Sequence, residues 1–279
     1  MNTLPAGSSP LRHTLDGLGA AAHQFTLAPP PGLRQAPAGW LLQDRPGLCR
    51  AVRAFGRSSG TDEAAVATSL FVQAWAVNVT RAAIACLVGA RRVPDVASSN
   101  TVLLLDDHYR PAGMTLVAPR YAALAGDRDA EADPEAVILP SAEALWDWTR
   151  TRMFGGHLGP LVEALHDVAT VGRRLLWGNV AAAAAGGFAA LSALPSRPFH
   201  PDLLLPEATR LLDAPGSPTR GLAELFAVPH DGGTRLFVRR QTCCLRYRLP
   251  DAPPTCLSCR LLPDSERRRR IDLRLDQRS

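Results

Sequence analysis

Four of the six cysteines in this 279-residue chain fall within seventeen positions near its end: Cys243-Cys244, then eleven residues, then Cys256-Leu-Ser-Cys259. Deprotonated thiols are strong ligands for zinc and iron, and four on one short stretch suffice for a complete soft-metal centre. The Cys256-x2-Cys259 half suits any tetrahedral site, because a tight turn with two intervening residues aims both sulfurs at one metal. The Cys243-Cys244 half is less ordinary. Adjacent side chains on extended backbone point to opposite sides, so aiming both at one ion requires a special turn. Two irons bridged by sulfide form a broader target that adjacent cysteines share more easily. Residue types and spacing therefore favour a [2Fe–2S] cluster, with a zinc site or a redox disulfide left open.

The surroundings add to this. Arg239-Arg240-Gln-Thr-Cys243-Cys244-Leu-Arg-Tyr247 leads through a short proline-rich loop to Cys256-x2-Cys259, and Leu176-Trp177-Gly178-Asn179-Val180 lies upstream. Together these resemble the C-terminal signature of the FhuF-like ferric-siderophore reductases. The resemblance covers the last third of the chain well and a hairpin near residue 105 loosely. Family members usually carry ten residues between the second and third cysteines, against eleven here, an insertion that a proline-rich loop absorbs. The resemblance implies that Cys243, Cys244, Cys256 and Cys259 bind a [2Fe–2S] cluster. It also implies that the helix carrying Asn179 packs beside the cluster lobe with Asn179 hydrogen-bonded inside. The plainer reading of that segment is a helix–helix contact unrelated to the site.

The implied activity is reduction of a ferric siderophore. Such a chelator holds iron(III) through hard anionic oxygens and iron(II) far more weakly, so one electron frees the metal. Arg240, Arg246, Arg248 and Arg260 flank the thiols in sequence. They are expected to raise the potential of the centre and to attract an acidic donor or chelate oxygens. Their plain alternative is a solvated basic rim. No flavin or nicotinamide motif is evident, so the expected electron source is a separate ferredoxin or flavin reductase. Two rivals stay open: a zinc-binding structural or nucleic-acid protein, and a siderophore-binding redox protein without turnover.

The elements that position these residues are predicted as an α+β fold. It comprises a helix-rich body over residues 40–230, with a small antiparallel sheet, and a C-terminal cysteine-ligated lobe over 231–279. Residues 1–39, rich in proline and glycine around Pro29-Pro30-Pro31-Gly32, are expected to be partly disordered. A helix should start near Thr61, bury Val66, Leu70, Val77, Ile84 and Val88, and end at Gly89 and Pro94. Thr101–Leu105 and Met114–Val117 read as a hairpin whose loop holds Asp106, Asp107 and His108, turn residues in preference to a metal site. Residues 119–140 read as a loop. Ser141 should cap a helix, and a further one should run from His157 or Pro160 to Arg173. In the alanine-rich stretch from Leu175, Gly178 and the Gly186-Gly187 pair either interrupt a helix or admit a close neighbour. Pro201 starts a helix through Leu212. Residues 195–221 carry clustered prolines, and a strand over Thr234–Arg239 leads to Cys243.

Composition sets the remaining bounds. The chain has no lysine, and its net charge of +5 is supplied entirely by arginine. Arg267-Arg268-Arg269-Arg270 are followed by alternating Ile271, Leu273 and Leu275 and are expected to form a solvated face of a short terminal element, so no nucleic-acid partner is expected. Met1-Asn-Thr-Leu-Pro lacks the features of a signal peptide. The thiols should therefore stay reduced in the cytoplasm, which favours metal binding over disulfides. Cys86 reads as a buried core residue, and Cys49 has no assigned role. The uncharged stretches 64–80 and 175–194 read as buried helices, although association with the cytoplasmic face of the inner membrane stays open.

Overall fold

The computed structural model describes residues 9–23, 25–194, 199–230, 233–252 and 255–277. In chain order it opens with α1 (Pro10–Leu18), the short strands β1 (Phe25–Thr26) and β2 (Arg34–Pro37), α2 (Ala38–Gln43) and α3 (Arg45–Ser58). The long helix α4 (Ala64–Ala90) leads to β3 (Arg92–Pro94), β4 (Thr101–Leu105), β5 (Pro111–Leu116) and β6 (Tyr121–Leu124). After α5 (Arg128–Glu131) and β7 (Ala136–Leu139) come α6 (Ala142–Arg150), a π-helical stretch (Thr151–Leu158), α7 (Gly159–Ala169) and α8 (Arg173–Leu191). The chain closes with α9 (Pro201–Leu212), β8 (Ala223–His230), β9 (Gly233–Arg240) and α10 (Asp264–Asp276).

The α+β class holds, and α4 is its axis. Its apolar residues are buried around most of its circumference, not along a single stripe, and Thr68, Ser69, Asn78 and Thr80 are buried with them. Helices α1, α3, α7 and α8 and strand β5 pack around it. Two of them bond within the helix, Thr80 Oγ1 donating to the Ala76 carbonyl at 2.8 Å and Asn78 Nδ2 to that of Ala74 at 2.8 Å, while Ser69 bonds across to other elements and Thr68 Oγ1 has no partner among the described residues. This helix is long and apolar enough to cross a bilayer, and 72% of its most apolar window is buried inside the protein. Gly89 lies within it instead of ending it. A Cβ there would sit 2.7 Å from Leu18 Cδ2, so glycine admits α1. Arg91, in the left-handed region at φ 54°, terminates the helix.

Three small sheets flank this axis. One has the order β1-β5-β4-β2, with β4 and β5 the predicted hairpin. The proline-rich N-terminal stretch contributes two of its strands, so from residue 10 it departs from the partly disordered segment expected over 1–39; residues 1–8 lie outside the described residues. The reason is apolar content that the prolines obscure: Leu11, Leu15 and Phe25 are all buried in the main core. The second sheet, β3-β6-β7, draws β6 and β7 from the stretch expected as a loop over 119–140. The third is the β8-β9 hairpin, in register from Ala223↔Arg240 to His230↔Gly233. A boundary at 230/231 therefore falls inside a paired hairpin, and the terminal lobe begins with β8.

The Ser141 cap forms, its Oγ accepting from Ala144 N at 3.2 Å. The helix expected to reach Arg173 is two helices, because Thr170 takes the left-handed conformation after Ala169. Helix α8 runs uninterrupted through its three glycines and packs along α4, with a Cβ on Gly187 only 3.3 Å from Ile84 Cδ1. Helix α10 lays Ile271 and Leu275 against Val228, Phe226, Phe237 and Leu257. Pro201 starts α9 as expected; Pro195 and Pro198 lie outside the described residues.

Candidate functional site

Strand β9 ends in Arg240, whose backbone N–H donates to the Ser258 carbonyl at 2.9 Å, so the two cysteine segments are tied where the strand stops. Beyond Cys243-Cys244, Leu245 sits in the left-handed region at φ 61° and a single 3₁₀ turn follows over Arg246–Arg248. This reversal turns the chain away directly after the adjacent cysteines. The Leu245 N–H donates to Cys243 Sγ at 3.4 Å. Across from it, Cys259 N donates to the Cys256 carbonyl at 2.9 Å and Leu262 N to that of Cys259 at 3.2 Å, forming the tight turn of the Cys-x2-Cys half.

All four thiols are free, as are Cys49 and the buried Cys86. Cys244 is 9% exposed, and Cys243, Cys256 and Cys259 are half-buried. Cys244 and Cys256 lie near enough for the thiol of one to hydrogen-bond the thiolate of the other, which separates their protonation. Cys256 is lowered to about 5 by the Cys244 S–H, by Ser258 (Sγ to Oγ 3.6 Å) and by the nearby Arg240 charge. Cys244 is pushed up because it donates that hydrogen bond and is desolvated. Among the described residues, no three His, Cys, Asp or Glu side chains converge as a site for a single metal ion. The geometry thus brings Cys244 and Cys256 together and leaves Cys243 and Cys259 beside them on their own turns.

A buried polar network joins this lobe to the helical body. Asn179 Nδ2 donates to Ser69 O at 3.0 Å and to Ser69 Oγ at 2.9 Å, while its Oδ1 accepts from Arg240 Nη1 at 2.7 Å. Ser69 Oγ in turn donates to the Cys244 carbonyl at 2.8 Å. One side chain each from α4, α8 and β9 therefore fixes the backbone of a cysteine. Asn179 is wholly buried and Arg240 is 2% exposed. Gly178 makes room for the junction: a Cβ there would lie 1.8 Å from Thr242 Oγ1. Two buried groups at this point, Arg240 Nη2 and Thr242 Oγ1, have no hydrogen-bond partner among the described residues.

The arginines expected at the site take different places. Arg240 belongs to the buried network and is no part of a solvated rim. Arg248 pairs with Glu63 at 2.5 Å, exposed Arg260 donates to the Gln241 carbonyl at 3.1 Å, and Arg246 is exposed. The run Arg267–Arg270 is not wholly a solvated face. Arg267, 3% exposed, donates to the carbonyls of Leu257 at 2.8 Å, Cys259 at 2.9 Å and Leu262 at 2.8 Å, clamping the second cysteine turn from α10. Arg270 Nη1 adds a 3.0 Å bond to the Thr255 carbonyl. Arg268 pairs with Asp272, and Arg269 and Arg270 with Glu266. Asp106 is a turn residue, its Oδ1 accepting from the His108 and Arg110 N–H groups.

The family model described as "Ferric iron reductase FhuF-like transporter" matches residues 69–242, which is 174 of the 279 residues (242 − 69 + 1). The chain belongs to this family, and a ferric iron reductase type of function comes with it. The match opens at Ser69 and closes at Thr242, so it contains Ser69, Asn179 and Arg240 of the polar network and stops one residue before Cys243. Comparison with curated proteins returns no match.

Proposed function

We propose that this chain reduces chelated iron(III), with a ferric siderophore as substrate and a [2Fe–2S] cluster held by Cys243, Cys244, Cys256 and Cys259. The observation that carries this reading is the junction at Cys244: the family-matched residues Ser69, Asn179 and Arg240 form the network that holds a cysteine backbone in place. The donor set supports it further. Four unbridged thiols lie on two facing turns, and two unpartnered buried donors, Arg240 Nη2 and Thr242 Oγ1, stand beside them. Sulfur-rich centres use such donors as hydrogen bonds from outside the ligand set. The pairing of Arg268, Arg269 and Arg270 with acids on their own helix leaves little for a phosphate backbone.

When bound, the cluster supplies a one-electron carrier near the surface. The chain's own residues do the rest. Arg240 holds positive charge against Cys244 and Cys256, which favours the more negative, reduced state of what they ligate. Ser69 and Arg267 fix the first and second cysteine turns. The reaction balances with one electron, given by an external ferredoxin or flavin reductase and accepted by iron(III) in the chelate. Iron(II) is then held weakly by the same hard oxygens and leaves without a covalent bond of the chelator breaking. The proposed compartment is the cytoplasm, where unpaired thiols persist.

The test is the absorption spectrum of anaerobically purified protein before and after dithionite, with iron and acid-labile sulfide assays. Visible bands that bleach on reduction, with about two irons and two sulfides per chain, are expected. Cys256→Ser should lose the bands and iron(II) release together. A colourless protein carrying zinc, or a Cys256→Ser variant with full reductase activity, overturns the reading.

A further inference from the structure

A groove of about 670 Å³ runs between α4, α8, β9 and α10 and reaches the cysteine lobe, where Cys256 and Ser258 form part of its wall. That volume suits a small-molecule ligand. Its floor is the small-residue face of α8, where Ala182, Gly186 and Ala189 leave the space open; a Cβ added at Gly186 would meet nothing within 4 Å. Phe237 and Val238 of β9 supply apolar surface.

Its charge is one-sided. Arg81, Arg235, Arg240 and Arg274 line the groove and, among the described residues, no acidic one does. Most ion-paired arginines of this protein lie elsewhere, and among the described residues Arg81, Arg235 and Arg274 make no ion pair or side-chain hydrogen bond. Arg240 also borders this groove, but it is almost wholly buried and its guanidinium belongs to the Asn179 junction, so the free charge facing the groove is that of Arg81, Arg235 and Arg274.

We infer that this groove docks the iron chelate, and that it selects chelates whose ferric complex carries net negative charge over neutral ones. The inference rests on the proposed reductase function, whose substrate class it narrows. An anionic chelate with apolar or aromatic arms would set its arms along α8 and β9 and its charged oxygens among the guanidinium groups of Arg81, Arg235 and Arg274. Its metal would then lie at the end of the groove where Cys256 stands. A neutral complex of the same size would gain the apolar contact and leave the arginines without their counter-charge.

Gallium(III) replaces iron(III) as a redox-inert probe, so binding is read apart from electron transfer. The purified full chain is titrated by calorimetry with the gallium complex of a hexadentate tris-catecholamide, charge 3−, and with that of a hexadentate tris-hydroxamate, which is neutral. The trianion should bind about tenfold or more tightly, with an affinity that falls as salt rises. Arg81→Gln/Arg274→Gln should lose most of that preference while keeping the visible spectrum of the parent protein. Equal affinity for the two complexes, or a double variant that keeps the preference, overturns the inference. Iron(II) release from the ferric complexes, trapped with a ferrous-specific dye, reads the reductase function separately. Charge-selective gallium binding without release upholds the groove and sinks the reductase. Release without charge selectivity does the reverse.

Discussion

Asn179 Oδ1 and Arg240 Nη1 meet at 2.7 Å with both side chains sealed from solvent, and this contact couples the helical body to the cysteine lobe. Neither residue has a cheap substitute. Asn179 is donor and acceptor at once, giving its N–H groups to Ser69 and its oxygen to Arg240. Asn179→Leu keeps the volume and leaves a buried guanidinium without its acceptor, which should destabilise the protein by about 2–4 kcal/mol. Ser69→Ala, which removes a neutral hydroxyl, should cost about 1 kcal/mol. Denaturant unfolding monitored by tryptophan fluorescence checks both. Equal losses in the two variants would count against a coupling centred on Asn179.

Gly178 and Thr242 form a steric pair. A methyl group on Gly178 would overlap Thr242 Oγ1 at 1.8 Å, Cγ2 at 2.6 Å and Cβ at 2.7 Å, so no rotamer of threonine relieves it. Gly178→Ala should therefore destabilise by about 1–3 kcal/mol despite the better helix propensity of alanine. Thr242→Gly clears the space, and the double variant should recover more than half of that loss. Unfolding midpoints of the four proteins in this cycle give the coupling directly. Additive effects would show that the glycine is needed for another reason.

The helical body was legible where one pattern dominated. The uncharged run from Ala64, the hairpin around 106–110 and the proline start at Pro201 all appear close to their expected positions. The four cysteines were legible because their spacing is chemical and survives any fold. The failures have physical causes. Leu11, Leu15 and Phe25 are few and far apart, so a proline-rich segment hid the apolar anchors that order it. The β6 strand is Tyr-Ala-Ala-Leu, which lacks the β-branched residues that announce a strand. Strand β8 is masked by the prolines that precede it, although Ala223–Val228 is mostly apolar. Arg267 looks like its charged neighbours, yet it stands four and eight residues before Ile271 and Leu275, on the buried stripe of the helix. That spacing was the available signal. Tertiary contacts such as Asn179–Arg240, 61 residues apart, had no local signal.

Arg267 should be the indispensable member of its run. It bonds three carbonyls of the second cysteine turn, whereas Arg268 makes a half-exposed i,i+4 pair with Asp272. Lysine can replace the charge but not the forked geometry. Arg267→Lys should shorten the aerobic lifetime of the visible absorption several-fold, and Arg268→Gln should leave it unchanged, because exposed ion pairs contribute about 0–1 kcal/mol. Time courses at 25 °C in air-saturated buffer make the comparison. Equal lifetimes for the two variants would remove the clamp from the argument.

His157 sets an acid limit on the helical body that is independent of the cysteines. It is fully buried, with Nε2 accepting from Trp75 Nε1 at 2.8 Å and Nδ1 donating to the Val96 carbonyl at 2.6 Å. That arrangement admits one proton on the ring. Burial lowers its pKa from the ordinary 6.5 to about 4, against a smaller opposing effect of the Val96 carbonyl. Between those values the unfolded chain takes up a proton and the folded chain does not, so stability falls with falling pH. The contribution is complete above pH 6.5 and is lost progressively down to pH 4. At about 1.4 kcal/mol per pH unit it amounts to about 3 kcal/mol. His157→Gln can keep both hydrogen bonds without titrating. Its unfolding free energy should therefore start lower at pH 7.5 and decline less steeply between pH 6.5 and 4.5 than that of the parent protein. Denaturant midpoints at four pH values across this window decide it: parallel curves would mean that another group carries the acid sensitivity.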